Sequence, residues 1–265
     1  MPEWIAAIIL GMVEGVTEFL PVSSTGHLLI VEKFLPHSDF LSSDLFNVVI
    51  QSGAVLAVLL NFSQRIKTFA TQWRQPEMKD YLLKLGVAFG ITGVGGVLLK
   101  QLGFELPETV GPVAWATLVG GLLFLAAEYG LNHSCPHEDI TWSIAIIAGM
   151  AQLLAAVFPG ASRSGATILM MLVLGLSRPR AVEFSFLLGV PTLLAAGGLM
   201  LFKSLADPPV GAPSINWTLL AIGTVVSAAT AFVSVKWLLR FVENHTFVAF
   251  GWYRIALGAG LLVFL

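Results

Sequence analysis

Glu14 and Glu18 stand four residues apart, and Pro21-Val22-Ser23-Ser24-Thr25-Gly26-His27 follows at once. That spacing puts both carboxylates on one helix face. Two such groups repel unless a cation or a proton lies between them. Hard cations take oxygen ligands, and Mg²⁺ is often held by one or two carboxylates plus substrate phosphate. One carboxylate could instead be protonated, or could orient His27 as the acid does in a hydrolytic triad. Ser24 falls three residues before His27, so on a short helix the two share a face, which favours Ser24 over Ser23 as a nucleophile. Attack by water with His27 as base is the open alternative, and leaves Ser24 as a phosphate donor. A polar lumen face would be the bland account. It explains poorly why Thr17, Glu18, Ser23, Ser24 and His27 crowd into so short a stretch.

A second constellation is Pro159-Gly160-Ala161-Ser162-Arg163-Ser164-Gly165-Ala166-Thr167. Small residues opening a helix leave backbone N–H groups free, and the helix N-terminus favours an anion. An arginine at membrane depth needs a partner. A phosphate accepts its fork in two places, while Ser162, Ser164 and Thr167 can donate to the remaining oxygens. The alternative is a small-residue packing face with Arg163 paired to a glutamate. Together the two stretches hold acids, a hydroxyl, an imidazole, a cation and amide donors, a set suited to displacement at phosphorus.

The elements that must position them are membrane helices. The 265 residues are 56% hydrophobic and 11% charged, with a mean hydropathy of +0.85. Soluble domains carry roughly 25% charged residues. The net charge of −2 and the lack of a basic stripe argue against nucleic acid. The lone Cys135 excludes an internal disulfide and a cysteine metal cluster. The start, Met-Pro-Glu-Trp, lacks a basic signal-peptide region and is expected to be retained.

Six apolar stretches are long enough to span: 44–62, 81–99, 110–131, 181–203, 215–236 and 247–265. Four shorter ones form two pairs, 4–20 with 24–34 and 141–158 with 164–176, each split by proline and a Ser/Gly-rich turn. These read as re-entrant helix–turn–helix pairs. An offset of 138 superposes Gly11-Met12 on Gly149-Met150, Pro21 on Pro159, Ser24 on Ser162 and Phe46 on Phe184. One extra residue instead aligns Ser23-Ser24-Thr25-Gly26 with Ser162-Arg163-Ser164-Gly165. The expected fold is therefore a single all-α membrane domain of two repeats, 1–131 and 139–265. Each has one re-entrant pair and three full spans, so the second is inverted.

With the 63–80 loop cytoplasmic, nine basic residues (Arg65, Lys67, Arg74, Lys79, Lys84, Arg178, Arg180, Lys236, Arg240) face in, and three (Lys33, Lys100, Lys203) face out. The first re-entrant pair then opens outward. Small-xxx-small faces permit a homodimer.

Glu14-Gly-Val-Thr-Glu18-Phe-Leu-Pro-Val-Ser-Ser-Thr-Gly-His27 and Pro159-Gly-Ala-Ser-Arg163-Ser-Gly-Ala-Thr167 resemble the two signature motifs of the undecaprenyl-pyrophosphate phosphatases of the bacitracin-resistance type. Phe46-Asn-Val-Val-Ile-Gln51 and Glu183-Phe-Ser-Phe-Leu-Leu188 extend the likeness along the chain. The resemblance implies an inner-membrane enzyme that removes the terminal phosphate of the C55 prenyl pyrophosphate and so recycles the lipid carrier of peptidoglycan synthesis. It implies a divalent cation, Mg²⁺ or Ca²⁺. It carries functional roles onto Glu14, Glu18, Ser24, His27, Ser162, Arg163 and Thr167. Ser23, Thr25, Gly26, Ser164 and Gly165 complete the expected phosphate-binding set, with Glu14 and Glu18 on the metal. The competing class is a transporter or flippase of an anionic prenyl phosphate: binding needs the cation, whereas turnover also needs nucleophile and base. A purely structural subunit leaves Arg163 unexplained.

Outside the motifs, Glu183 reads as an interfacial salt-bridge partner of Arg178 or Arg180, and Glu128 and Tyr129 as interface markers. His133 and His137 have a metal-ligand spacing but sit around Pro136, in a solvated loop.

Overall fold

The computed structural model describes residues 1–103, 109–130, 136–208, 211 and 213–264, with the backbone alone at Lys100. His133 and Cys135 lie outside the described residues. The described chain is helical apart from an isolated bridge between His137 and Leu176. In order the helices are α1 (Glu3–Thr17), α2 (Ser24–Phe34), α3 (Asp44–Asn61), α4 (Ser63–Gln72), α5 (Pro76–Gln101), α6 (Val110–Gly130), α7 (Trp142–Val157), α8 (Arg163–Val173), α9 (Arg178–Ala206), α10 (Trp217–Asn244) and α11 (Val248–Phe264).

Five of these are long and apolar enough to cross a membrane: α3, α5, α6, α9 and α10. The sixth expected span, α11, has 17 described residues, roughly 25 Å at 1.5 Å per residue against a hydrocarbon core of about 30 Å. α1, α2, α7 and α8 are shorter still, as the broken pairs require. Large apolar side chains such as Leu60, Val94, Phe202, Val225 and Val233 point outward, which suits a lipid surround.

Two differences from the sequence reading have local causes. The 63–80 stretch contains a helix, α4, with no buried residue; its polar composition concealed it. α5 begins at Pro76, ahead of the apolar run, because proline fits the first helical position and Glu77 faces the positive helix end.

Both broken pairs are rejoined in the same way. Ser23 and Ser162 cap α2 and α8, and among the described residues they alone have positive φ without being glycine, 74° and 68°. Each side-chain oxygen accepts from a glycine amide two residues into the helix, Gly26 and Gly165. α1 packs on α10 as α7 packs on α5, and α2 meets α11 as α8 meets α6. α3 runs against both α9 and α10. Glycine permits close crossings at matching places in the two halves. A Cβ at Gly11 would stand 2.5 Å from the Gly223 carbonyl oxygen, and one at Gly149 would stand 2.6 Å from that of Ala88.

Candidate active site

The two signature stretches meet in the interior, and Glu18 is where they join. Ser24 donates from Oγ to Glu18 Oε2 at 2.9 Å. Arg163 donates to Glu18 Oε1 from Nη2 at 3.3 Å and from Nε at 3.4 Å. The arginine is therefore paired with a glutamate, as one of the two sequence readings had it. The pair does not exhaust its fork. Nη1 gives one further bond, to the Ser185 carbonyl at 3.4 Å, and a guanidinium has five N–H donors. The guanidinium also sits over the Phe19 ring, 5.1 Å from its centroid.

The remaining hydroxyls shape the two turns. Ser164 Oγ donates to the Leu20 carbonyl at 3.2 Å and so ties the second turn to the first. It also lies 3.2 Å from Ser162 Oγ. Thr167 Oγ1 pairs with Ser185 Oγ at 2.6 Å and is fully buried. Ser23, Gly26, Ser162 and Gly165 make the two caps already described. Thr25 is exposed at the opening of α2, and Ser24 and His27 are half-buried beside it. The site opens on that side.

His27 and Ser24 are one turn apart but do not bond to each other. Ser24 is the first residue of α2, and its hydroxyl turns back to Glu18. His27 Nδ1 lies 2.7 Å from the Ser23 carbonyl oxygen, and Nε2 lies 2.6 Å from the Tyr253 hydroxyl. Glu18 holds Ser24 and Arg163 instead of orienting His27.

α11 adds two residues that the sequence reading missed. Tyr253 is the partner of His27. Arg254 is completely buried and donates to five carbonyls. Two of these, Ala116 and Thr117, are on α6, Pro21 is in the first turn, and Gly160 and Ala161 are in the second. A single side chain therefore spans both turns. An arginine inside the apolar run 247–265 was the signal for it, by the rule that drew attention to Arg163. Nothing in the sequence marks Tyr253 apart from other interfacial aromatics.

Glu14 is fully buried one turn before Glu18, and its two carboxylate oxygens have no hydrogen-bond partner. Its charged neighbours are Glu18, Arg163 and Glu32. Among the described residues no three His, Cys, Asp or Glu side chains gather as a metal cluster. Two carboxylates one helical turn apart, one of them with both oxygens unpartnered, fit a hard cation that completes its shell with substrate oxygens. They do not fit a closed structural site.

Elsewhere, Glu183 pairs with Arg180 at 3.0 Å and with Arg65 at 3.0 Å. Arg178 pairs instead with the buried Glu128. His137 docks on the turn after α8, with Nε2 3.1 Å from the Leu174 carbonyl oxygen.

Apolar helices enclosing acids, hydroxyls, an imidazole and an arginine at two broken helix pairs define a polytopic membrane protein with a polar cluster in its interior. Its sequence relationships are specific. The chain belongs to the family described as bacitracin resistance protein BacA, whose model matches residues 7–260. It is 49% identical over 261 residues to the undecaprenyl-diphosphatase of Rhizobium etli strain CIAT 652, covering 98% of this chain and 96% of that protein. It is 46% identical over 266 residues to the undecaprenyl-diphosphatase of Xanthomonas campestris pv. campestris strain 8004, covering 100% of this chain and 99% of that protein.

Proposed function

We propose that this chain hydrolyses undecaprenyl diphosphate to undecaprenyl phosphate and inorganic phosphate in the bacterial inner membrane. It thereby returns the lipid carrier to peptidoglycan synthesis and raises resistance to bacitracin. The observation that carries the reading is Glu18 bound at once to Ser24 and Arg163, on a chain nearly half identical to named undecaprenyl-diphosphatases over its length. A carrier needs the arginine alone, whereas a hydroxyl held on a buried carboxylate is the arrangement of an activated nucleophile.

In this reading Ser24 Oγ attacks the terminal phosphorus and its proton passes to Glu18 Oε2. The bond from that phosphorus to the bridging oxygen breaks, and undecaprenyl phosphate leaves. Arg163 turns its free N–H groups to the phosphoryl oxygens as charge builds on them. The free amides opening α2 and α8 add to this stabilisation. Water then attacks the phosphoserine, Ser24 recovers its proton from Glu18, and phosphate departs. His27, at the open side, serves that water as base. Glu14 and Glu18 would hold a divalent cation, Mg²⁺ or Ca²⁺, which when bound neutralises pyrophosphate charge and lowers the cost of bringing it between two acids.

The same reading makes the chain an inverted repeat with the site opening outward. The matched caps at Ser23 and Ser162, the matched glycine crossings at Gly11 and Gly149, and the exchange of α1, α2, α3, α5 and α6 with α7, α8, α9, α10 and α11 in the contact pattern support it. Nine basic residues against three support the orientation.

The test is phosphate release from undecaprenyl diphosphate by purified protein in detergent, beside Ser24→Ala and Arg163→Ala. Both variants are expected to lose at least about 10²-fold. A wild type that binds the lipid and releases nothing sinks the hydrolase and leaves the carrier.

A further inference from the structure

The pairing of His27 with Tyr253 determines where the proton on His27 sits. The Ser23 carbonyl oxygen can only accept, so Nδ1, 2.7 Å away, carries the hydrogen. In the neutral ring Nε2 is then a bare lone pair. The Tyr253 hydroxyl, 2.6 Å from it, is the donor. The two rings lie nearly parallel, at 8° with centroids 5.6 Å apart. Tyr253 is half-exposed at the open side of the site. Its phenol oxygen has lone pairs left to accept a hydrogen bond from water there. The next residue, Arg254, is anchored on the Pro21, Gly160 and Ala161 carbonyls. The tyrosine's backbone is therefore fixed to the two turns that build the site.

We propose that the Tyr253 hydroxyl is the proton path between the attacking water and His27. The inference rests on the hydrolase reading above. As the water oxygen bonds to phosphorus, its proton moves to the Tyr253 oxygen, and the phenolic proton moves to His27 Nε2. The ring becomes an imidazolium held by the Ser23 carbonyl, and the tyrosine ends neutral. The phosphorus–oxygen bond to Ser24 breaks, and Ser24 takes its proton from Glu18. His27 later returns its proton by the same route to phosphate or solvent. The path is unchanged if water attacks the lipid phosphorus directly, because it begins at the water. It explains why the imidazole faces away from Ser24: the serine is served by Glu18, and the imidazole serves the second proton.

The experiment is a double-mutant cycle with full-length protein in detergent and undecaprenyl diphosphate as substrate, using Tyr253→Phe, His27→Asn and the double variant. Tyr253→Phe is expected to lower kcat on the order of 10²-fold, the usual worth of general acid–base help, and to leave KM unchanged. The double variant is expected to be no slower than His27→Asn alone. In protein labelled with ¹⁵N-histidine, Tyr253→Phe is expected to shift the Nε2 resonance of His27 and to leave Nδ1 protonated. Full activity in Tyr253→Phe overturns the path. So does an equal loss from Tyr253→Phe with or without His27, because the tyrosine would then act on phosphate independently. Wild type without phosphate release overturns the underlying hydrolase reading instead, and the path with it.

Discussion

Ser24 hands its hydroxyl hydrogen to Glu18 across 2.9 Å, from the first residue of α2 back to the end of α1. The same carboxylate carries Arg163 on its other oxygen. Removing its charge should therefore do more than removing its reach. Glu18→Gln keeps the shape but cannot take the serine proton, and it leaves Arg163 without its anion. Steady-state kinetics on the variant should show a loss in kcat on the order of 10³-fold, in the middle of the range for a lost base. Activity within tenfold of wild type would transfer the base role to another group.

Arg254 should set stability as well as rate. Its bonds to the Pro21, Thr117 and Gly160 carbonyls are fully buried, and a buried carbonyl left without a partner costs about 1–3 kcal/mol, a cost that falls on Pro21 more than on Gly160, which keeps the Thr117 hydroxyl. Arg254→Met should lower the apparent Tm in detergent by several degrees and raise KM as the two turns separate. Arg254→Lys should recover only part of each, since an ammonium cannot span the same fork. A variant with wild-type Tm would show that the turns hold without it.

How much of this was legible in the sequence depended on chemistry more than on length. Glu14, Glu18, Ser24, His27 and Arg163 stood out because polar groups in apolar runs are costly and need a reason. Arg254 met the same criterion, but it sat in a stretch read only for its span. Tyr253 carried no such cost, because a tyrosine near a helix end is ordinary, and only the folded geometry brings it to His27. The partners of each group were also hidden. Ser24 and His27 share a helix face, yet the helix begins at Ser24, so its side chain turns back to α1 rather than along α2. The short helices announced themselves by proline and small residues. α4 did not, since a polar ten-residue segment reads equally well as loop.

Glu14 makes a prediction about cations. A buried carboxylate with both oxygens unpartnered gains most from a cation, a proton or a substrate group. Isothermal titration of the purified protein with Mg²⁺ and with Ca²⁺ should show binding that chelator abolishes and that Glu14→Gln weakens at least tenfold. Glu14→Gln should also be more heat-stable than wild type in chelator, because it no longer buries an unpaired acid. Equal cation affinity in the two proteins would place any cation elsewhere.

The orientation of the site follows from which side holds α4 and which holds the 35–43 turn. His37 and Asp39 are exposed in that turn, just beyond α2. Thr71 is exposed in α4, across the length of α3. In intact cells expressing a Cys135→Ala background, a cysteine at His37 should react with a membrane-impermeant maleimide. One at Thr71 should react only after the membrane is opened. That result places Thr25 and the mouth of the site on the outer side, where a lipid pyrophosphate in the outer leaflet reaches Ser24 without its head group crossing. The reverse pattern would invert the chain. The nine basic residues would then face out against the usual charge bias, and the pyrophosphate would have to arrive from the cytoplasm.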